Sequence, residues 1–215
     1  MQFTTTSAVA QSGGKKIVVY GLSGVGKTRL ARTIGNSVII SAENGLLSLA
    51  GDNIPAILVS TPEDVIGAYK WLLADAGRTF TTVFVDSISD IAEVAQRGYM
   101  AMHKDIRKAI GESNQFIFEL IRNFRDMPHN VVFIAKESSK TGTAAPMLPS
   151  SGVTDNFSYY FDVVARMKNV QTEEGKTASV LQCVGSFDTL AKDRSGKLAE
   201  IEPADISHII RKLTS

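Results

Sequence analysis

The stretch Gly21-Leu22-Ser23-Gly24-Val25-Gly26-Lys27-Thr28 follows the apolar run Ile17-Val18-Val19-Tyr20 and leads into a segment with helical character. Its pattern, G-x-x-x-x-G-K-T, is that of a phosphate-binding loop between a strand and a helix. Glycines let the backbone curl and point successive N–H groups at one anion, and the dipole of the following helix favours negative charge. Lys27 would reach the β- and γ-phosphates, and the hydroxyl of Thr28 would hold Mg²⁺.

A plain glycine-rich turn is the alternative to this phosphate-binding loop. Every fixed position of the pattern matches, however, and both flanking elements are present, so the sequence favours a nucleotide site. The predicted nucleotide-binding residues are Gly21, Leu22, Ser23, Gly24, Val25, Gly26, Lys27, Thr28 and Arg29.

Length and composition predict one domain. A chain of 215 residues with 44% hydrophobic content can bury one α/β core. Residues 1–14 are polar and are predicted to form a flexible arm before a core at 15–215. The net charge of +1 gives the protein no overall positive potential that would attract a polyanion. The single cysteine, Cys183, fits a reducing compartment. Because no apolar run has membrane-spanning length, we expect a cytoplasmic protein without a membrane partner.

Strand-like and helix-like segments alternate along most of the chain. Apolar runs at 37–41, 56–59, 81–86 and 130–135 predict buried parallel strands, and 161–168 with 177–184 predict a hairpin. A helical stretch is predicted over about 88–110, with a second helix around 116–124. The predicted fold is therefore α/β, with a mainly parallel central sheet flanked by helices and extended by a C-terminal β-hairpin.

Two acids follow strands that should end near the phosphates. Asp86 ends an apolar strand, at the edge where parallel sheets bind ligands, and this position favours a role near Mg²⁺ over a role as a helix cap. Glu43 follows the strand after the phosphate-binding loop and would be able to orient a water for attack on the γ-phosphate. From the residues alone, a role for Glu43 in orienting water and a role as an ordinary turn residue are equally supported.

Several segments together resemble RecA-like recombinases. Val85-Asp86-Ser87 is similar to their Walker B strand, and a glutamate at the end of the preceding strand is their catalytic base. The chain most resembles the small phage-encoded RecA-like ATPases of the Sak type, which are single-strand annealing proteins. The segments that carry this resemblance are the phosphate-binding loop, Ser41-Ala42-Glu43-Asn44-Gly45, Val85-Asp86-Ser87, Ile134-Ala135-Lys136, Phe161-Asp162-Val163-Val164-Ala165-Arg166 and Ala191-Lys192-Asp193-Arg194-Ser195-Gly196-Lys197-Leu198.

The resemblance implies a RecA-like fold that binds ATP and Mg²⁺ between neighbouring copies in a ring or filament. Lys192 and Arg194 look like the Lys and Arg of the Lys-Asn-Arg-Phe-Gly segment of RadA-type proteins, which act on the neighbour's nucleotide. With Lys27 and Glu43, they complete the implied catalytic set. Without the resemblance, Lys192 and Arg194 would be assigned to a solvated charged turn.

The resemblance also implies binding of single-stranded DNA, with annealing or strand exchange in phage-type recombination. Residues 136–157 correspond to a DNA-binding loop, where Lys136 and Lys140 would contact phosphates. Lys136 replaces the usual glutamine of that position. Arg107 and Lys108 are further DNA-binding candidates, although a solvated helix face explains them equally well. A single-strand-binding protein is a possible partner.

Two other functions remain compatible with the phosphate-binding loop. A P-loop kinase would need an arginine-rich lid, and the sequence has no arginine between Arg125 and Arg166. An ATP-gated DNA-binding switch with little hydrolysis would use the same nucleotide site. Substituting Glu43 separates this switch from a motor, because only a motor loses annealing together with hydrolysis.

Overall fold

A computed structural model describes residues 3–5, 8, 13–43, 45–139, 142–148, 153 and 157–215. Most of the predicted arm lies outside the described residues, and so do Asn44 and the predicted DNA contact Lys140. The strands of the described part are Lys16–Gly21 (β1), Ser37–Ser41 (β2), Ala56–Leu58 (β3), Thr82–Asp86 (β4), Asn130–Ser138 (β5), Ala145–Pro146 (β6), Val163–Gln171 (β7), Thr177–Gln182 (β8), Lys192–Asp193 (β9) and Ile201–Pro203 (β10). Its α-helices are Pro62–Leu73 (α1), Ile88–Met102 (α2), Ile106–Arg125 (α3) and Ile206–Thr214 (α4).

The strands form one sheet in the order β10-β8-β7-β1-β5-β4-β2-β3. All pairs from β3 through to β7 are parallel, whereas β8 and β10 continue the sheet in antiparallel fashion. The turn between β7 and β8 passes through Gly175, which adopts a φ of 74°. The predicted α/β fold, with its mainly parallel sheet and C-terminal hairpin, is confirmed.

Alternate residues of the central strands pack into cores on opposite faces of the sheet, as the two-residue period of a strand requires. Val18 and Tyr20 of β1 face a core that includes α1, α2 and α3. Ile17 and Val19 face a second core that includes α4 and the short 3₁₀ helix Thr28–Thr33. Because both faces are covered, the central strands are hydrophobic throughout.

Side-chain caps fix where the helices begin. Thr61 accepts a hydrogen bond from Asp64 N and Asp64 accepts from Thr61 N, a reciprocal capping box ahead of Pro62. Ser87 caps α2 and Asp205 caps α4 by single hydrogen bonds, since their side-chain oxygens accept from Asp90 N and His208 N.

The predicted continuous helix over 88–110 is wrong. The structure has a break at His103, and α3 starts afresh after Asp105, whose carboxylate accepts hydrogen bonds from the backbone N–H groups of Arg107 and Lys108. Asp105 favours the start of a new helix because its side chain binds the first free N–H groups of that helix. Two shorter helices therefore replace the single long one. The helix after the phosphate-binding loop is also a six-residue 3₁₀ helix, so the expected contribution of a helix dipole is small.

Candidate active site

The loop 21–28 leaves the carboxyl end of β1 in a tightly curled conformation. Gly24 and Gly26 adopt φ angles of 80° and 100°, a region that residues with a β-carbon rarely enter. Gly21 is needed for a different reason, because a β-carbon there would lie 2.5 Å from the carbonyl oxygen of Met167 on β7. The motif glycines therefore allow both the curl and the close approach of the neighbouring strand.

Lys27 lies within this loop. Its ammonium group donates to the carbonyl oxygens of Gly21 and Leu22, each at 2.8 Å. Burial lowers the pKa of Lys27, and the nearby carboxylates, Asp86 first among them, act in the opposite direction and favour the charged form. The loop thus holds a cation beside the predicted phosphate position.

Asp86 ends β4 in a buried position, close to the Thr28 side chain. Burial raises the pKa of Asp86, while the Thr28 hydroxyl and Lys27 partly offset that rise. A hydroxyl and a carboxylate close together supply the hard oxygen ligands that Mg²⁺ prefers, so these residues fit the metal. Within the described part of the chain no group of three or more His, Cys, Asp or Glu residues forms a metal cage, so phosphate oxygens and water would complete the coordination.

Glu43 follows the carboxyl end of β2, which is paired with β4. Its carboxyl is hydrogen-bonded to that of Asp90, and this bond, with partial burial and the negative charge of Asp90, raises the pKa of Glu43 to about 7. Lys136, at 3.8 Å, acts in the opposite direction. A carboxylate with a pKa near neutrality suits a general base at physiological pH.

Asp90 and Glu93 belong to the site although they were not singled out in the sequence. Both lie on α2, and Lys136 at the end of β5 donates to both of them, at 3.3 Å to Glu93. Ser87 also donates to Asp90. The available signal was the spacing of Asp86, Asp90 and Glu93, which places the last two on one helical face directly after Asp86, the predicted metal ligand.

A cavity of about 500 Å³ lies at the carboxyl edge of the sheet, beside the phosphate-binding loop. The predicted loop residues Gly21, Leu22, Ser23, Gly24, Gly26, Lys27, Thr28 and Arg29 line it, together with Glu43, Asp86 and Lys136. Val25 packs against the core beneath the loop, and its carbonyl accepts from Ser179. The structure therefore brings together the acids and the phosphate-binding loop, and it places Lys136 among them.

Lys192 and Arg194 lie at the other end of the sheet. Lys192 donates to the carbonyls of Ser158 and Phe161, and Arg194 donates to the carbonyl of Tyr159. The backbone N–H of Arg194 donates to Asp162 O, and Asp162 directly precedes β7, whose first residue pairs with Ile17 near the start of β1. Arg194 therefore lies beside the amino end of β1. The amino end of β1 is five strand residues, or about 16 Å, from Gly21 at its carboxyl end. The structure does not bring Lys192 and Arg194 to the phosphate-binding loop of the same chain.

Arg107 and Lys108 lie in the exposed first turn of α3, away from the cavity. Lys108 lies 3.8 Å from Glu112, one helical turn further on.

The fold and the site define a P-loop nucleotide-binding protein of the ATPase type. Residues 13–195 match the AAA_24 family, described as an AAA domain, and the chain belongs to that family. A KaiC-like protein of known structure from the hyperthermophilic archaeon Pyrococcus horikoshii OT3 is similar at 13% identity with a TM-score of 0.49, over 79% of this chain and 80% of that one. No curated protein matches the chain. None of the helices in the described residues has the length and apolar character that crossing a membrane requires.

Proposed function

We propose that this protein is a RecA-like ATPase that binds single-stranded DNA and promotes annealing or strand exchange in phage-type recombination. The observation that carries the ATPase part is the convergence of Lys27, the Thr28–Asp86 pair and Glu43 on one cavity. The DNA part rests on the motif resemblance to Sak-type annealing proteins.

The residues of the cavity divide the work of hydrolysis. The loop N–H groups and Lys27 bind the phosphates, and Thr28 with Asp86 would hold Mg²⁺, which neutralises phosphate charge when bound. Glu43 accepts the proton of the attacking water. Lys192 and Arg194 lie too far from their own loop to act on it, which supports the proposal that they complete the site of a neighbouring copy.

The first experiment measures ATP hydrolysis with and without single-stranded DNA, at low and moderate salt. Lys27→Ala is the blank, because it removes the phosphate-binding cation. We expect hydrolysis that is stimulated by DNA and a stimulation that weakens with salt, since DNA binding releases counterions. Hydrolysis that is indifferent to DNA, with no DNA binding in ATP, would reject the recombination proposal and retain the ATPase.

Glu43→Gln tests whether hydrolysis is needed. The amide keeps the size of the side chain and loses the base, so we expect a fall in turnover of about a hundredfold or more. Annealing measured on complementary oligonucleotides should fall with it. Annealing that persists without hydrolysis would instead identify an ATP-gated switch.

A further inference from the structure

Phe187 is 95% exposed, more than any other large apolar side chain that the structure describes. It lies in the segment between β8 and β9. An isolated exposed leucine or isoleucine is ordinary, but an aromatic ring that lies almost entirely in water makes none of the stabilising contribution that buried rings usually make.

The turn that carries Phe187 is fixed by hydrogen bonds on both sides. Ser186 and Thr189 exchange backbone bonds of 3.0 and 3.4 Å, and the Asp188 carboxylate accepts from both of their hydroxyls. The loop before β6 is bound to the turn, because Ala144 N donates to Asp188 O at 2.7 Å and Thr143 donates to Phe187 O. The ring is therefore presented by an ordered platform.

A cation lies beside this platform. The ammonium group of Lys168 donates to the Gln182 side-chain oxygen at 2.9 Å, and the Gln182 amide contacts Ser186 at 3.4 Å. Within the described residues, Lys168 has this neutral partner and no acid within 4.0 Å. Asp188 is the acid of the turn itself. Lys168 thus offers a positive charge near the exposed ring, as the phosphates of a nucleic acid require.

The platform is also connected to the nucleotide cavity. Glu137 lines that cavity and accepts two hydrogen bonds from Arg166, at 2.7 and 3.0 Å. The same guanidinium donates to the Thr189 hydroxyl at 3.1 Å. One side chain therefore contacts both the wall of the nucleotide site and the turn that carries Phe187.

We propose that Phe187 stacks on a base of single-stranded DNA while Lys168 contacts an adjacent phosphate. An exposed ring with a cation beside it is the combination that binds single strands with little sequence preference. The assignment rests on the proposed function, for which it names the DNA contact. Arg166 makes the DNA contact of Phe187 sensitive to the nucleotide, because its guanidinium binds both Glu137 in the nucleotide cavity and Thr189 in the turn.

The test uses the full chain with ATP and an oligothymidine that carries one fluorescent purine analogue, whose emission responds to stacking. Phe187→Ala should weaken binding about tenfold, the effect expected for losing one stacked base, and abolish the change in emission. Phe187→Trp should restore both. Phe3→Ala is the matched control, because Phe3 is 89% exposed and is not part of the platform. Lys168→Met should lower the slope of log affinity against log salt by about one.

Each outcome decides between the proposals. Wild-type affinity and emission in Phe187→Ala would overturn the stacking assignment and leave DNA binding intact. No binding by the wild-type chain would overturn both the assignment and the proposed DNA function. Loss of self-association by Phe187→Ala without DNA, measured by sedimentation, would show that the ring contacts a second copy instead. Circular dichroism confirms folding, which we expect to be unchanged because the ring is exposed.

Discussion

At the scale of single residues, the carboxyls of Glu43 and Asp90 lie against each other and Lys136 lies against both. Like charges in contact keep a proton on one member of the pair, which here is Glu43, with its pKa of about 7. The proposed base is therefore half protonated near neutral pH. Substitutions at Asp90 should therefore change the fraction of Glu43 that is ionised and able to accept a proton.

The first prediction is that kcat/KM for ATP rises as pH increases through about 7. Glu43 accepts a proton only when ionised, so activity falls below its pKa, and at about one pH unit below it roughly a tenth of the plateau should remain. Asp90→Asn removes the repelling charge and offers an amide donor, which lowers the pKa of Glu43. The acid limb of the pH–rate profile should then move to lower pH, and an unchanged limb would contradict the assignment of Glu43 as the base.

At the scale of elements, Tyr20 connects β1 to two segments from distant parts of the chain. Its hydroxyl lies 2.8 Å from the carbonyl oxygens of both Ala144 and Leu190, which share its one proton. Burial raises the pKa of Tyr20 well above its usual range, so the hydroxyl stays neutral and remains a donor. The phosphate-binding strand and the platform that carries Phe187 are therefore joined through one side chain.

Tyr20→Phe should destabilise the protein by about 1 to 3 kcal/mol, because buried carbonyl oxygens lose their donor while the ring still fills its site. The free energy of unfolding in urea measures this loss, and hydrogen exchange should speed up at Leu190. Tyr159→Phe is the control, since Tyr159 is 72% exposed and its hydroxyl is expected to matter by less than about 0.5 kcal/mol. Equal stability of the two variants would show that the hydroxyl of Tyr20 does not hold the platform.

Elements built from local patterns were predictable, and contacts between distant elements were not. Apolar runs indicated the parallel strands, and the glycine pattern indicated the loop at the end of β1. The spacing of Asp90 and Glu93 after Asp86 indicates a shared helical face, but their contact with Lys136 joins α2 to β5, and no spacing along the chain reveals that contact. The platform at Phe187 likewise depends on a loop more than forty residues earlier, at Thr143.

At the scale of the whole molecule, the sheet separates two sets of charged residues. The loop with Lys27 lies at the carboxyl edge of β1, while Lys192 and Arg194 lie beside its amino end. A head-to-tail contact between copies would bring these opposite edges together, and such contacts build rings or filaments. Hydrolysis would then require assembly, because the proposal assigns Lys192 and Arg194 of one copy to the site of the next.

Mixing two inactive variants tests this arrangement. Lys27→Ala should be inactive through its own loop, and Arg194→Ala should lose about a thousandfold in turnover, as expected for an arginine acting on a neighbour's phosphates. In an equimolar mixture about a quarter of head-to-tail contacts pair an intact loop with an intact Arg194, so about a quarter of wild-type activity should return. The wild-type chain mixed with Lys27→Ala serves as the control for simple dilution. If the first mixture stays as inactive as its parts, Arg194 does not act across a contact between copies, and its bonds to Tyr159 and Asp162 would then define a purely structural role.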